Sequence, residues 1–413
     1  MKHLFSLIFI CIATLSVDAQ NVTNSPYSRF GVGELQSLTS ATYSAMGGVG
    51  IGINNPVSVN VLNPASYATA FPQRFTMQTS LLHTSTQMST LTDEQVVNST
   101  KFNYLIFGFP VAKWWGSSFG VLPFSEVAYN YSDYDEANDA SQEFEGFGGI
   151  NKLYWGNGFK FGKKISAGLN INYLFGRLNT QRRVVFNDDS FNSKSEEEST
   201  IRGFQYEFGI MFNQRLKDWN LTLGLTVENG NEVNSSTTTE IETFQYIGTV
   251  ENTENVISSE NDKQKLVLPN SMGLGFSMTN DKWLLAADYK ITDWNDFEYL
   301  DQAYNLQESN RFSLGAEFIP EIKSISKYHK IIRYRMGFHT GATYLNLYEQ
   351  SIDQTAITFG VGLPLKRSGA LLNVSADLGT RGTTEFGLIK DNYAAFKIGL
   401  VLSDVWFIKR KYN

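Results

Sequence analysis

Transfer or hydrolytic chemistry needs a nucleophile, a base and a group that orients the base. The scarce members of such a set are four histidines, His3, His83, His329 and His339, and one cysteine, Cys11, in a chain of 413 residues. His3 and Cys11 fall in an N-terminal stretch that reads as a cleaved leader, so no disulfide, thiolate metal site or cysteine nucleophile is expected in the mature chain. His83 lies near an expected strand end, His329 in a turn and His339 on an alternating strand, and their spacing is not that of a metal-ligand pair. No Gly-x-Ser-x-Gly elbow is expected. The expectation is a protein that is not an enzyme and carries no metal and no cofactor.

Charged side chains give a different signal. Glu207, Asp288, Lys290, Arg311, Glu317, Arg333, Arg335, Asp377 and Lys397 share the polar face of strands whose other face is apolar. They can form a polar conduit, hold a plug, or pair into a salt-bridge ladder that fills a narrow interior; the ladder is the plainer expectation. Five cations against four acids imply no strong ion selectivity.

The elements that place these charges repeat with period two. In Phe204-Gln205-Tyr206-Glu207-Phe208-Gly209-Ile210-Met211-Phe212 every second residue is large and apolar. Ile332, Tyr334, Met336 and Phe338 alternate with Arg333, Arg335, Gly337 and His339, and Phe396, Ile398, Leu400 and Leu402 with Lys397, Gly399, Val401 and Ser403. Ile171, Tyr173 and Phe175 follow the same rule, with Leu174 as an exception. Long aromatic rows opposite a polar face suit lipid outside and water inside, the inverse of a soluble sandwich. The composition agrees: 14% aromatic, 34 glycines and only 9 prolines, with a mean hydropathy of −0.22.

The segments predict an all-β transmembrane antiparallel barrel of about fourteen strands, at 74–84, 100–112, 117–131, 147–162, 164–186, 199–216, 218–245, 262–279, 282–300, 307–320, 331–348, 353–365, 369–386 and 391–408. Connections at 85–99, 132–146, 187–198 and 232–261 read as long, polar, acidic loops facing outward. Those at 113–116, 162–164, 216–218, 279–281 and 366–368 are tight, and Lys163, Lys164, Lys217, Lys282, Lys366 and Arg367 lie in or beside them; Glu321–Lys330 is the long exception. This places the chain in a bacterial outer membrane with both termini periplasmic. Trp114, Trp115, Tyr129, Tyr131, Trp219, Trp283 and Trp406 fall near strand ends, where aromatic girdles are expected.

Residues 1–19 read as a signal peptide, with Lys2, an apolar run from Leu4 to Leu15 and a Val17-Asp18-Ala19 cleavage site. Residues 20–72 are punctuated by Ser25-Pro26-Tyr27, Met46-Gly47-Gly48 and Asn63-Pro64-Ala65. They read as a plug, or hatch, inside a barrel formed by residues 73–413, with Gly47, Gly48, Asn63 and Pro64 shaping it. The net charge of −7 and the lack of a basic tract argue against nucleic-acid partners.

The run Leu268-Pro269-Asn270-Ser271-Met272-Gly273, followed by Asp281-Lys282-Trp283, Ala287-Asp288-Tyr289 and Thr292-Asp293-Trp294-Asn295-Asp296-Phe297, resembles a hairpin of the FadL family of hydrophobic-compound transport barrels. Asn295 stands where that family usually has Ser. The Met46-Gly47-Gly48 … Asn63-Pro64-Ala65 stretch is similar to the family's hatch, and the chain's opening and ending, Val405 to Lys411, look like a Bacteroidota branch. The resemblance implies fourteen strands, a plugged lumen, a lateral opening, and passive uptake of small hydrophobic compounds. The loops at Asn231–Thr239 and Glu251–Asp262 depart from it, being acidic and polar where classical members are apolar. The alternative is a non-transporting structural or partner barrel in an outer-membrane protein secretion or assembly complex. Expected partners are therefore outer-membrane lipid, a hydrophobic small molecule, or an outer-membrane protein held by the acidic loops.

Overall fold

Alternation along a strand sends successive side chains to opposite faces, and the inverted pattern is plain in a computed structural model of the chain. Met336 is 59% exposed while its neighbour Arg335 is 4%, and Ile398 is 53% exposed while Lys397 is 7%. Apolar rows face outward and charged rows face in. The structure describes residues 25–37, 39–70, 74–188, 190–299, 302–303, 306–365 and 369–405; the expected signal peptide and Trp406–Asn413 lie outside the described residues.

The chain first makes a short strand, β1 (Glu34–Leu35), and two one-turn helices, α1 (Ala41–Ser44) and α2 (Tyr67–Ala70). The remaining strands are β2 (Arg74–Ser89), β3 (Glu94–Ala112), β4 (Trp115–Asp135), β5 (Ala140–Phe161), β6 (Ile165–Phe186), β7 (Asn192–Leu216), β8 (Trp219–Glu228), β9 (Glu232–Ile247) and β10 (Val250–Val267). After them come β11 (Asn270–Thr279), β12 (Trp283–Asp293), β13 (Glu298–Tyr299), β14 (Gln302–Ala303), β15 (Ser309–Phe318), β16 (Arg333–Leu347), β17 (Gln350–Pro364), β18 (Leu371–Arg381) and β19 (Lys390–Val405).

Fourteen of these close an antiparallel barrel, β2 to β8, β11, β12 and β15 to β19. Closure is made by β19 pairing with β2 from Val405↔Arg74 to Lys390↔Ser89. The segment expected as one strand at 218–245 is two. It breaks at Asn229–Asn231, where β8 stays in the wall and β9 leaves it to pair with the far half of β7, Arg202↔Asn234 through Asn192↔Phe244. β10 folds back on β9, and β11 re-enters the wall beside β8.

The long connections are hairpins rather than loops. β5 and β6 each run 22 residues and β7 runs 25, whereas about 9–11 residues cross a membrane as a tilted strand. The excess projects at one end of the barrel, here called the loop end. Ser, Thr, Asn and Glu on both faces erase the hydrophobic alternation there, but the backbone ladder continues, so composition hides the strands. At the other, turn end, Glu321–Lys330 is a pinned loop. The Glu321 N–H donates to the Lys330 carbonyl at 2.9 Å, and the Lys330 ammonium, 2.8 Å from the carboxylate, holds Glu321 below the usual carboxylate range.

Wall pairing is interrupted between β3 and β4. β3 pairs with β4 only from Leu105↔Val121 down to Ala112↔Trp115. Beyond that, Glu94–Tyr104 stays with β2 and Leu122–Asp135 with β5. The two strands part, and β1 occupies the edge of β4 through Glu34↔Glu126 and Leu35↔Ser125.

Candidate functional site

Residues 25–37 and 39–70 lie inside the barrel, and the wall is cut to receive them. A Cβ on Gly224 would stand 1.9 Å from the Ile51 carbonyl oxygen, one on Gly209 2.1 Å from Asn63 Oδ1, and one on Gly168 2.3 Å from the Pro64 carbonyl carbon. Glycine at these wall positions lets the hatch backbone lie directly on the sheet. The hatch returns the constraint at Gly47, whose φ is +70° and whose absent Cβ would meet the carbonyls of Phe338 and Leu314 at 2.5 and 2.6 Å.

Polar contacts hold the hatch in place. Asp288 Oδ2 accepts the N–H groups of Gly50 and Ile51 at 2.6 and 2.8 Å. Gly47 N–H donates to Thr358 Oγ1 at 2.7 Å, Ser277 Oγ to the Gly52 carbonyl at 2.6 Å, and Lys397 Nζ to Ser44 Oγ at 2.8 Å. Asn63 donates to the Ile51 carbonyl at 2.8 Å and accepts from Ala65 N–H at 3.0 Å, starting a turn with Pro64 at its head. Gly48 sits with φ +84°, 3.2 Å from Arg311 if it bore a Cβ.

Some of the interior charges pair. Glu317 joins Arg333 at 2.8 Å and Arg335 at 2.7 Å, and Arg335 also donates to Asn373 at 2.7 Å. Lys290 and Lys152 share Glu228 at 3.4 and 3.0 Å. Glu207 lies across from Glu228 in the β7–β8 register and accepts from Asn170 at 3.0 Å. Asp377 faces His339 at 3.2 Å. Arg311 donates to the Gly47 carbonyl at 3.4 Å; no carboxylate among the described residues comes within 4 Å of it or of Lys397. Such pairing keeps the charges from standing bare in a partly dry interior.

Several participants were not anticipated. Arg381 grips Glu34 of the hatch at 2.7 Å and Asp391 at 2.8 Å. Lys101 pairs with Glu126 and donates to Gln36 Oε1 at 3.0 Å, stitching hatch to wall where β3 and β4 part. Arg381 sits two and four residues from Gly379 and Asp377 on the inward row, a signal present in the sequence. Glu228 likewise ends the inward row Thr222, Gly224 and Thr226 of β8, whereas Glu34 lies in the hatch, where no alternation marks it.

Toward the loop end an aromatic cap lies within the lumen. Trp294 stacks on Tyr344 at 4.5 Å and touches Phe297 at 5.4 Å. Tyr344 donates its hydroxyl to the Gly33 carbonyl at 2.6 Å, and Tyr27 donates to Ile389 at 2.6 Å. Leu174, the exception to alternation, belongs to this apolar cluster. So does Tyr129, which corrects its expected place in an interfacial girdle: the β4 irregularity at Phe124 turns its ring inward. Tyr131 likewise packs on Phe144 and Arg29. Between hatch and cap lies a cavity of about 440 Å³, lined among others by Lys101, Asp288, Arg311, His339, Arg381 and Lys397 and reaching the parting of β3 and β4.

Gly116-Ser117-Ser118-Phe119-Gly120 does have the spacing of a nucleophile elbow. It lies within a strand, with Ser118 Oγ donating to the Phe107 carbonyl at 2.8 Å and 2.6 Å from the Tyr154 hydroxyl, and no histidine among the described residues bonds to it.

The BamG family model matches residues 1–413. No curated protein matches the sequence. Among solved structures, the toluene transporter TbuX of Ralstonia pickettii superposes with a TM-score of 0.60 at 13% identity, covering 93% of this chain and 99% of that one. The toluene transporter TodX of Pseudomonas putida gives 0.60 at 13% identity over 91% and 100%. A Pseudomonas aeruginosa FadL homologue gives 0.59 at 11% identity over 91% and 100%. At these identities the likeness is one of fold: a FadL-type outer-membrane β-barrel.

Proposed function

We infer that this chain, which belongs to the BamG family, is a non-transporting partner barrel of an outer-membrane protein secretion or assembly complex, with its loop end outside the cell. The observation that carries the reading is a hatch in the lumen that polar contacts fix on several sides. Asp288, Thr358, Arg381 and Lys397 each bind it from a different wall strand. A greasy solute entering there would have to displace paired charges, which is unfavourable by several kcal/mol for each one left bare. The projecting hairpins offer a polar, acidic surface instead, which suits protein contact better than capture of hydrocarbon.

The test is purification of the full chain from outer membrane in mild detergent, with its protein stoichiometry and bound lipid measured together. Stoichiometric protein partners without lipid are expected. A copurifying fatty acid or hydrocarbon with no protein partner would overturn the reading.

A second reading, passive uptake of small hydrophobic compounds, has one specific support. The cavity reaches the gap between β3 and β4, a place where a solute could leave sideways. Under this reading Lys101 and Glu126 act as the latch.

A further inference from the structure

The β9–β10 hairpin stands outside the barrel wall and is held along one side by β7. β7 binds β9, and β9 binds β10 along its length. On its other side β10 meets β13 at Leu266↔Tyr299 and Val267↔Glu298, at the base of the hairpin. Among the described residues nothing pairs with the far edge from Asn255 to Glu260. Register shifts at Thr253/Asn255 and Asn261/Gln264 bound that stretch, and between them the ladder is regular.

We propose that the free edge of β10 between Asn255 and Glu260 docks an extended strand of a partner protein, one that alternates cationic and apolar side chains, by adding it to the sheet. A row of unsatisfied N–H and C=O groups on a regular strand is a template for another strand. The two faces of the edge say what that strand carries. On one face Val256, Ser258 and Glu260 lie beside Glu242, Glu240 and Thr238, and these beside Lys194, Glu196 and Glu198. Lys194 neutralises Glu242 and Glu196 at 3.6 and 3.1 Å. Glu240 and Glu260 have no cation within 4 Å among the described residues. On the other face Ile257, 66% exposed, pairs with Ile241, 46% exposed. Lys or Arg on one face and apolar residues on the other complement both. A second copy of this chain is a poor occupant, because edge-to-edge pairing would set one acidic row against the other.

The proposal rests on the partner-barrel reading, and the experiment separates the two. A photo-reactive side chain is installed at Ile257, and separately at Ser258, of the full chain in intact outer membrane; the adduct is mapped by mass spectrometry. In parallel, the I257K/E260K variant and a D133K/D135K variant of the β4–β5 hairpin are purified with their partners. The expected result is an adduct to an extended segment with cationic and apolar residues in alternation. Partner recovery should fall about tenfold or more in I257K/E260K but not in D133K/D135K, as expected for loss of an anchoring contact. Heat-modifiable migration should stay unchanged in both variants. An adduct to a second copy of this chain, to lipid or to a helix overturns the edge-docking proposal, as does full partner recovery by I257K/E260K. If the unaltered protein recovers no partner at all, it is the partner-barrel reading that falls.

Discussion

Asp288 is the residue on which the hatch most directly hangs. One carboxylate oxygen takes two successive backbone N–H groups, from Gly50 and Ile51, and charge-assisted bonds of this kind are among the stronger ones available. Asp288→Ala should therefore lower stability by about 1–3 kcal/mol through the two stranded donors, read as a lower melting temperature in detergent. It should also speed proteolysis within residues 41–70 while the barrel keeps its heat-modifiable migration. Equal melting temperatures would show that the hatch is held by shape alone. Gly224→Val tests shape, because its first added carbon would stand 1.9 Å from the Ile51 carbonyl oxygen. The variant should lose hatch protection from protease as fully as Asp288→Ala does, and unchanged protection would mean that the wall yields. Asp288 was readable from sequence, as an inward charge on an alternating strand. Its partner was not, since the contact joins residues 238 apart in the chain.

At the scale of elements, strand number was legible and strand length was not. Fourteen segments carry the alternation because fourteen pass through lipid, and lipid demands an apolar outer face. Beyond the membrane the demand ends. The outer half of β7, Asn192 to Arg202, pairs residue for residue with β9 although its Ser, Lys and Glu side chains show no apolar row. The parting of β3 and β4 is equally silent in the sequence, because it depends on which partner each strand abandons. What spans the gap is short: β1, with Lys101 tied to Glu126 and Gln36. Under the uptake reading, Lys101→Ala should loosen this stitch and raise the entry of a small hydrophobic compound into cells or vesicles. The K101E/E126K exchange should return entry toward the unaltered level. If Lys101→Ala leaves entry unchanged, the β1 pairing alone closes the gap; a rise not reversed by the exchange would assign the effect to lost packing instead of the ion pair.

At the scale of the whole molecule, the wall and the plug are separable by construction. The barrel closes on itself through a sixteen-residue strand, β19, against β2, and none of those pairs involves the hatch. The Arg333–Glu317–Arg335 and Lys152–Glu228–Lys290 groups also lie wholly on wall strands, so they survive removal of the plug. A chain lacking residues 25–70 should still insert and show heat-modifiable migration, with its lumen now an aqueous pore. Small solutes should pass through it in vesicles, whereas the intact protein should pass almost none. The residues around the present cavity, without Glu34, carry Lys101, Lys290, Arg311, Arg381 and Lys397 against Glu228, Asp288, Asp377 and Asp391. That one-charge excess predicts only a weak preference for anions, measurable as a reversal potential displaced slightly toward the anion limit. Equal conductance with and without the hatch would mean that the plug does not close the lumen, and the strongest support for a partner role over a conduit would go with it.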